Sequence, residues 1–144
     1  MTLPCVCTTV RKANRALFRF YEDALAEADL TIVQFAILRA LQRNGDTPLP
    51  QIAEELVLER TSLYRTIAPL VDAGAIRLSD AKRGRSKIAK LTMRGERQIE
   101  QARPYWERAQ ASVVSKLGKT QWALLSEAML GIPELLQSID PAHD

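Results

Sequence analysis

Histidine and cysteine are nearly missing from this chain: its 144 residues include one His (His143) and two Cys (Cys5 and Cys7). A single histidine leaves little for a metal site or a histidine-based catalyst, and no cofactor is expected. Two cysteines separated by one residue cannot form a disulfide framework. No uninterrupted apolar run approaches the roughly 20 residues that a membrane span needs. The chain also opens without the charged start and apolar stretch of a secretory signal, so the expectation is cytoplasmic residence without a membrane partner. Glycine and proline are sparse, at 6 and 7 residues, and the composition is 47% hydrophobic, which excludes disordered and collagen-like classes. The glycines, at 45, 74, 84, 95, 118 and 131, make neither a dinucleotide fingerprint nor a phosphate loop. No Ser sits in a nucleophile elbow. The acidic pairs Glu22-Asp23 and Glu54-Glu55 are adjacent on helices, so their side chains diverge. Catalysis is not expected.

What the chain does have is an uneven charge. Overall it carries +3, yet between Arg77 and Arg97 eight basic residues (Arg77, Lys82, Arg83, Arg85, Lys87, Lys90, Arg94, Arg97) face only Asp80 and Glu96. From Thr120 onward there is no Lys or Arg, while Glu127, Glu134, Asp140 and Asp144 are acidic. A basic stretch on a nearly neutral protein points to a focused anionic partner, and its plainer alternative is a solvated surface ribbon.

Periodicity sets the organisation. Val10, Ala13, Leu17, Phe20, Tyr21, Ala24, Leu25 and Ala28 recur at helical steps, predicting a helix from about Thr8 to Ala28 with Thr8 or Thr9 as its cap. Thr31-Ile32-Val33-Gln34 reads as a capping box opening a second helix that stops at Asn44-Gly45. A connector from Asp46 to Leu49 leads to a short third helix with Pro50 in its first turn. A fourth helix runs from about Arg60 to Ala73. Two short helices joined by a few residues form a helix-turn-helix. After Gly74 the period changes: Ile76 and Leu78, then Ile88 and Leu91, flank a charged, Gly84-containing tip, which predicts a two-stranded ribbon.

A long helix opens at Thr92, where Pro104 should introduce a kink. A last helix from Thr120 carries Trp122, Leu125, Met129, Leu135, Leu136 and Ile139, and Gly131 with Pro133 should bend or interrupt it. The fold class is therefore mainly α with a small two-stranded β wing. Residues 31–91 form a winged helix-turn-helix lobe. Residues 1–30 and 92–144 form a helical dimerisation region whose apolar stripes call for a second copy of the chain.

The fourth helix has the composition of a recognition helix. Arg60, Thr61, Ser62, Tyr64 and Arg65 are short polar or long cationic groups near its N-terminal end, while Leu63, Ile67, Leu70 and Val71 are spaced to face inward. In the wing, Lys82, Arg83 and Arg85 surround Gly84, Lys87 follows, and an arginine at such a tip can enter a narrow minor groove. A different class remains open on these residues: a winged-helix adaptor whose basic face binds an acidic protein.

Leu30-Thr31-x-x-Gln34, Ile52-Ala53-x-x-Leu56-x-x-x-Arg60-Thr61-Ser62, Gly74-Ala75-Ile76, Asp80-x-Lys82-x-x-Arg85 and Leu91-Thr92-x-x-Gly95, in that order, resemble the MarR family of bacterial transcription regulators. The resemblance runs from about residue 8 to 138. It implies a dimeric winged-helix regulator, a repressor in the reading taken here, that binds double-stranded DNA at palindromic operators. It further implies that the fourth helix occupies the major groove and Arg85 the minor groove. The chain departs from the family pattern at Val57, where the turn often has Gly. A β-branched residue disfavours positive φ, so the turn should be built without it. Arg83 stands where an Asp usually restrains the wing arginine, Gly84 replaces a second common Arg, and Pro69 interrupts the recognition helix's bonding.

The resemblance also implies a small effector, since family members often bind phenolic or other aromatic carboxylates between the dimerisation helices and the lobe. Arg11, Arg15, Phe18 and Tyr21 on the first helix are the candidates, with Arg15 able to clamp a carboxylate. Surface arginines pairing with Glu22 or Asp23 are the plainer reading. Some members instead sense oxidants through a cysteine near the start of the first helix. Cys5 and Cys7 suit that role next to Arg11 and Lys12, or else pack as small apolar groups at a dimer interface.

Overall fold

A computed structural model describes residues 2–80 and 84–139. The chain runs α1 (Val6–Ala26), α2 (Ile32–Asn44), β1 (Thr47–Pro48), α3 (Leu49–Glu55), α4 (Arg60–Asp72), β2 (Ile76–Leu78), β3 (Ile88–Leu91), α5 (Met93–Leu117) and α6 (Lys119–Gln137). These residues fall into two compact units, one ending at Glu107 and one beginning at Arg108, with the division inside α5.

The first unit holds the core. Phe35, Leu38 and Leu41 of α2 meet Ile52 of α3, Leu63, Ile67 and Leu70 of α4, Ile76 and Ala89 of the sheet, and Ile99 and Ala102 of α5. Leu25, the one buried residue of α1, joins them. The α2 capping box forms as its sequence requires: Gln34 N–H donates to Thr31 Oγ1 at 3.0 Å and Thr31 N–H donates to Gln34 Oε1 at 3.0 Å. Glu22 of α1 adds an acceptor, taking the Ile32 N–H at 2.7 Å. Three of the orphan donors at this helix start are thus satisfied, one of them from a neighbouring helix. The α1 helix begins two residues earlier than its periodicity suggests. Cys5 takes the N-cap position, and Thr9 donates its hydroxyl to the Cys5 carbonyl (2.9 Å) instead of capping the helix.

The ribbon is larger than expected. β1 adds to it, giving an antiparallel sheet of three strands in the order β1-β3-β2. Thr47 pairs with Ala89 and Pro48 with Ile88, while Ile76, Arg77 and Leu78 pair with Leu91, Lys90 and Ala89. Two residues show no period of their own; β3 and the buried Thr47, whose hydroxyl donates to the Gly45 carbonyl (2.8 Å), hold them in place.

The turn between α3 and α4 also differs from expectation. Val57 adopts φ +54. Leu58 N–H donates to the Ala53 carbonyl (2.8 Å) and Val57 N–H to the Glu54 carbonyl (3.3 Å). Together these bonds make the paired closure of a Schellman motif, which demands a left-handed residue at that position. The hydrogen bonds override the side-chain preference, and the Val57 side chain projects into solvent, 91% exposed. A β-branched residue in this region costs about 1–2 kcal/mol. Val57→Gly should therefore raise the stability of the fold by about 1 kcal/mol, net of the entropy that glycine adds to the unfolded chain. Urea denaturation checks this: a midpoint at or below that of the parent would mean that the turn is not strained.

Thr92 and Gly95 lock α5 to the lobe. Gly95 N–H donates to Thr92 Oγ1 (3.2 Å), and that hydroxyl donates to the Gly74 carbonyl (2.6 Å), with the Ala75 carbonyl at 3.0 Å. Gly95 is buried, and a methyl group on it would run into the Ala75 carbonyl oxygen and Leu91 Cδ1. Further along α5, Trp106 lies 6.1 Å from Phe35, ring centre to ring centre, and the Arg39 guanidinium sits 5.9 Å from both rings.

In the second unit, α6 buries none of its residues, and Leu124, Leu125, Leu130, Leu135, Leu136 and Ile139 are exposed. Of the two alternatives at Gly131 and Pro133, an interruption does not occur, since α6 continues through both; α4 and α5 continue through Pro69 and Pro104.

Candidate nucleic-acid interface

The α4 helix divides cleanly into two faces. Leu63, Ile67 and Leu70 are at most 2% exposed, while Arg60, Thr61, Ser62, Tyr64 and Arg65 all face solvent. Burial of the first set fixes the rotation of the helix, and that rotation presents the second set. No side chain caps α4, whose N-cap residue is Glu59, so its first backbone N–H groups are not covered by a cap. Thr66 is held differently, its hydroxyl donating to the Ser62 carbonyl at 2.7 Å.

The wing rises from the same lobe. Ser79 and Ile88 close its base: Ser79 N–H donates to the Ile88 carbonyl (2.9 Å), and Ile88 N–H donates to Ser79 Oγ (3.0 Å). Gly84 takes φ +74 beside the tip. Arg85, Ser86 and Lys87 follow, all exposed. Lys82 and Arg83, also assigned to the DNA surface from sequence, lie outside the described residues. Leu49 N–H donates to the Lys87 carbonyl at 3.0 Å, tying the returning strand of the wing to the start of α3. Lys90 adds a distant ion pair to Asp46 (3.8 Å), which solvent screens.

These contacts bring helix and wing together. Arg60 and Tyr64 of α4 line one small cavity, of about 50 Å³, with Ser86 of the wing and Leu49, Pro50 and Ala53 of α3. Ser86 was not among the residues that sequence reasoning singled out; nothing in its neighbours marks it, because only the folded wing places it opposite α4. Among the described residues, Arg60, Arg65, Arg85 and Lys87 have neither an ion pair nor a side-chain hydrogen bond. Four cations on one lobe without internal partners form a charge surface open to an external anion.

The candidate effector residues are distributed differently from one another. Phe18 lines an open cleft of about 370 Å³ with Glu22, Val33 and Gln34, closed on the other side by Arg65 and Thr66 of α4. Arg11, Arg15 and Tyr21 are not among its lining residues. Arg11 and Arg15 are exposed on α1, and Tyr21 is half-buried, edge-on to Phe20 at 5.9 Å, with burial pushing its phenol pKa up. The cleft draws on three helices, so no local pattern announces it. Cys5 and Cys7 are both exposed at the start of α1. Hydrogen bonds from the Thr8 backbone and hydroxyl hold the Cys5 thiol below its ordinary pKa. Among the described residues no group of His, Cys, Asp and Glu could hold a metal ion, and no helix is long and apolar enough to cross a membrane.

A helix-turn-helix whose second helix shows a polar and cationic face, backed by a three-stranded wing, defines the winged helix-turn-helix class of transcriptional regulators. Residues 28–86 match the model of the MarR family. It is 25% identical over 130 residues to the HTH-type transcriptional regulator FarR of Neisseria gonorrhoeae, spanning 90% of this chain and 89% of FarR. Its fold is similar to that of the M. tuberculosis transcriptional regulator MosR, with a TM-score of 0.82, 26% identity and coverage of 94% of this chain and 97% of MosR. The structure of MosR in complex with DNA superposes with a TM-score of 0.78 at 28% identity, covering 94% of this chain and 100% of that one. The fold is also shared with BpsR of Bordetella bronchiseptica, whose DNA binding is regulated by 6-hydroxynicotinic acid (TM-score 0.80, 18% identity, 90% of this chain and 94% of BpsR).

Proposed function

We propose that this protein is a cytoplasmic, homodimeric repressor that binds palindromic double-stranded operators and is released by a small aromatic or phenolic ligand. The observation that carries the reading is the unpaired cationic set Arg60, Arg65, Arg85 and Lys87 on one lobe, in which helix and wing are joined through the Leu49–Lys87 bond. In this reading α4 enters the major groove with Arg60, Thr61, Ser62, Tyr64 and Arg65, and Arg85 reaches the minor groove beside it, with Lys82, Arg83 and Lys87 near the phosphates. Residues 31–91 make up the DNA-binding lobe, and residues 1–30 and 92–144 the dimerisation region. The apolar side chains exposed on α1 (Leu17, Phe18, Phe20) and along α6 support this division, since a second copy would cover them.

Fluorescence anisotropy with genomic fragments and random DNA tests the reading. A specificity ratio of about a thousandfold or more is expected, with affinity falling by orders of magnitude between about 50 and 200 mM salt. Equal affinity for both DNAs would favour the adaptor that binds an acidic protein. Arg65 supports the ligand arm of the proposal, because it belongs both to the outer face of α4 and to the cleft lined by Phe18. A ligand seated there draws on a side chain that DNA also uses.

A specific observation supports a second means of release. Cys5 is exposed at the α1 N-cap with a lowered pKa, which favours the reactive thiolate. A lowered thiol pKa keeps thiolate present at pH values where an ordinary cysteine is protonated. In a Cys7→Ser variant, alkylation of Cys5 by iodoacetamide should therefore extend to lower pH than alkylation of free cysteine; coincident profiles would remove the thiol from consideration. Peroxide should release DNA from the parent but not from the Cys5→Ser, Cys7→Ser double variant if the thiols are the sensor.

A further inference from the structure

A further cleft belongs to neither the DNA surface nor the Phe18 cleft. It lies where the end of α4 meets α5, has a volume of about 560 Å³, and is lined by Asp72, Ala73, Arg94, Arg97, Gln98 and Gln101. The four α5 residues share one face because they follow one another by three, one and three positions. Arg94 is drawn over the α4 terminus: a methyl group on Gly74 would meet its Nη1 at 3.4 Å and its Cδ at 3.5 Å.

A simple structural role for this cluster would be neutralisation of Asp72 and of the α4 carbonyl end. Among the described residues, however, neither arginine makes an ion pair with Asp72 or with any other carboxylate. The Gln98 side-chain oxygen is buried and has no hydrogen-bond partner. A buried polar atom without a protein partner is uncommon, and a donor on a small molecule bound beside Gln98 would satisfy it.

We propose that the α4–α5 cleft is a second ligand site, for a small hydroxylated oxyanion such as a phosphorylated or carboxylated polyol. Two guanidinium groups suit an oxyanion, which each can grip through paired N–H donors. Gln98 and Asp72 suit hydroxyl donors on the rest of the molecule, and Gln101 can act as donor or acceptor. The lining has no aromatic residue and Ala73 as its one apolar member, so the aromatic acids that fit beside Phe18 and Val33 do not fit here. The volume lies within the range of ordinary small-molecule sites, about 300–1,000 Å³. An occupied site joins the end of the recognition helix to α5 and acts on the lobe from the side away from the base-reading residues.

Glycerol 3-phosphate is the smallest probe that carries both chemical features, with inorganic phosphate and glycerol as its separate halves. Isothermal titration of the full chain should show saturable binding of glycerol 3-phosphate, at least tenfold tighter than of phosphate, and none of glycerol. Arg97→Ala and Gln98→Leu should each weaken it at least tenfold, with unchanged circular dichroism and unchanged DNA affinity without ligand. Phe18→Ala should leave it unaltered. No saturable binding at about 10 mM, or binding indifferent to both cleft variants, overturns the proposal. Equal affinity for phosphate and glycerol 3-phosphate overturns its hydroxyl-recognising half. None of these outcomes bears on whether the protein binds DNA.

Discussion

Arg85→Ala should leave the protein folded and weaken its binding to an operator by about 1–3 kcal/mol at each half-site. The two parts of the expectation have separate grounds. Stability should be unchanged because Arg85 is exposed and has no ion pair or side-chain hydrogen bond among the described residues. Binding should fall because an arginine entering a narrow minor groove meets a site of enhanced negative potential. A symmetric dimer doubles the effect. Anisotropy at fixed salt, together with a urea melt, checks both parts. An unchanged isotherm would remove Arg85 from the interface, and a lowered melting midpoint would show that the side chain supports the fold. The same substitution should also flatten the salt dependence if the side chain rests on phosphates, whereas a contact confined to base edges would leave the slope alone.

Gly95→Ala carries the largest expected effect on stability, and its sign is diagnostic. In an open helix, alanine in place of glycine stabilises by about 1 kcal/mol. Here the added methyl meets the Ala75 carbonyl oxygen, which is backbone and cannot swing aside, and Leu91 Cδ1 in the sheet. Overpacking of this kind costs about 1–3 kcal/mol or more and outweighs the propensity gain. The Thr92 hydroxyl bridge to Gly74 has to lengthen with it, so the start of α5 and the base of the wing move together. The melting midpoint should drop by several degrees, at roughly 2–4 °C per kcal/mol for a chain of this size. A midpoint equal to or above that of the parent would show that α5 does not sit this close to the Gly74–Ala75 turn.

The sequence carried the elements whose determinants are local. The α2 start is legible because Thr31 and Gln34 satisfy each other's backbone across three residues, and both bonds form. The two faces of α4 are legible because a 3.6-residue period separates Leu63, Ile67 and Leu70 from Arg60, Tyr64 and Arg65. What depends on distant pairing is not. β1 exists because β3 lies beside it, and Val57 adopts a left-handed conformation because the carbonyls of Ala53 and Glu54 require closure. The cleft beside Phe18 has only one lining residue among the first-helix candidates. Its aromatic on α1 was found, but Val33, Gln34 and Thr66 reach it only through the packing of α2 and α4. The arginines Arg11 and Arg15, grouped with Phe18 as candidates on the same helix, are absent from the cleft lining, because a shared helix says nothing about what stands opposite.

The bond from Leu49 to the Lys87 carbonyl and the pairing of Thr47 with Ala89 make the wing and the segment entering α3 a single mechanical piece. The spacing between α4 and the wing is therefore built into the lobe, much as the gauge is built into a rail bogie. A change of target sequence is open to this scaffold through exchange of side chains on α4 or at the wing tip. If the proposed operator binding holds, departure from the DNA should move each lobe whole, with the wing and the helix leaving their grooves in one step.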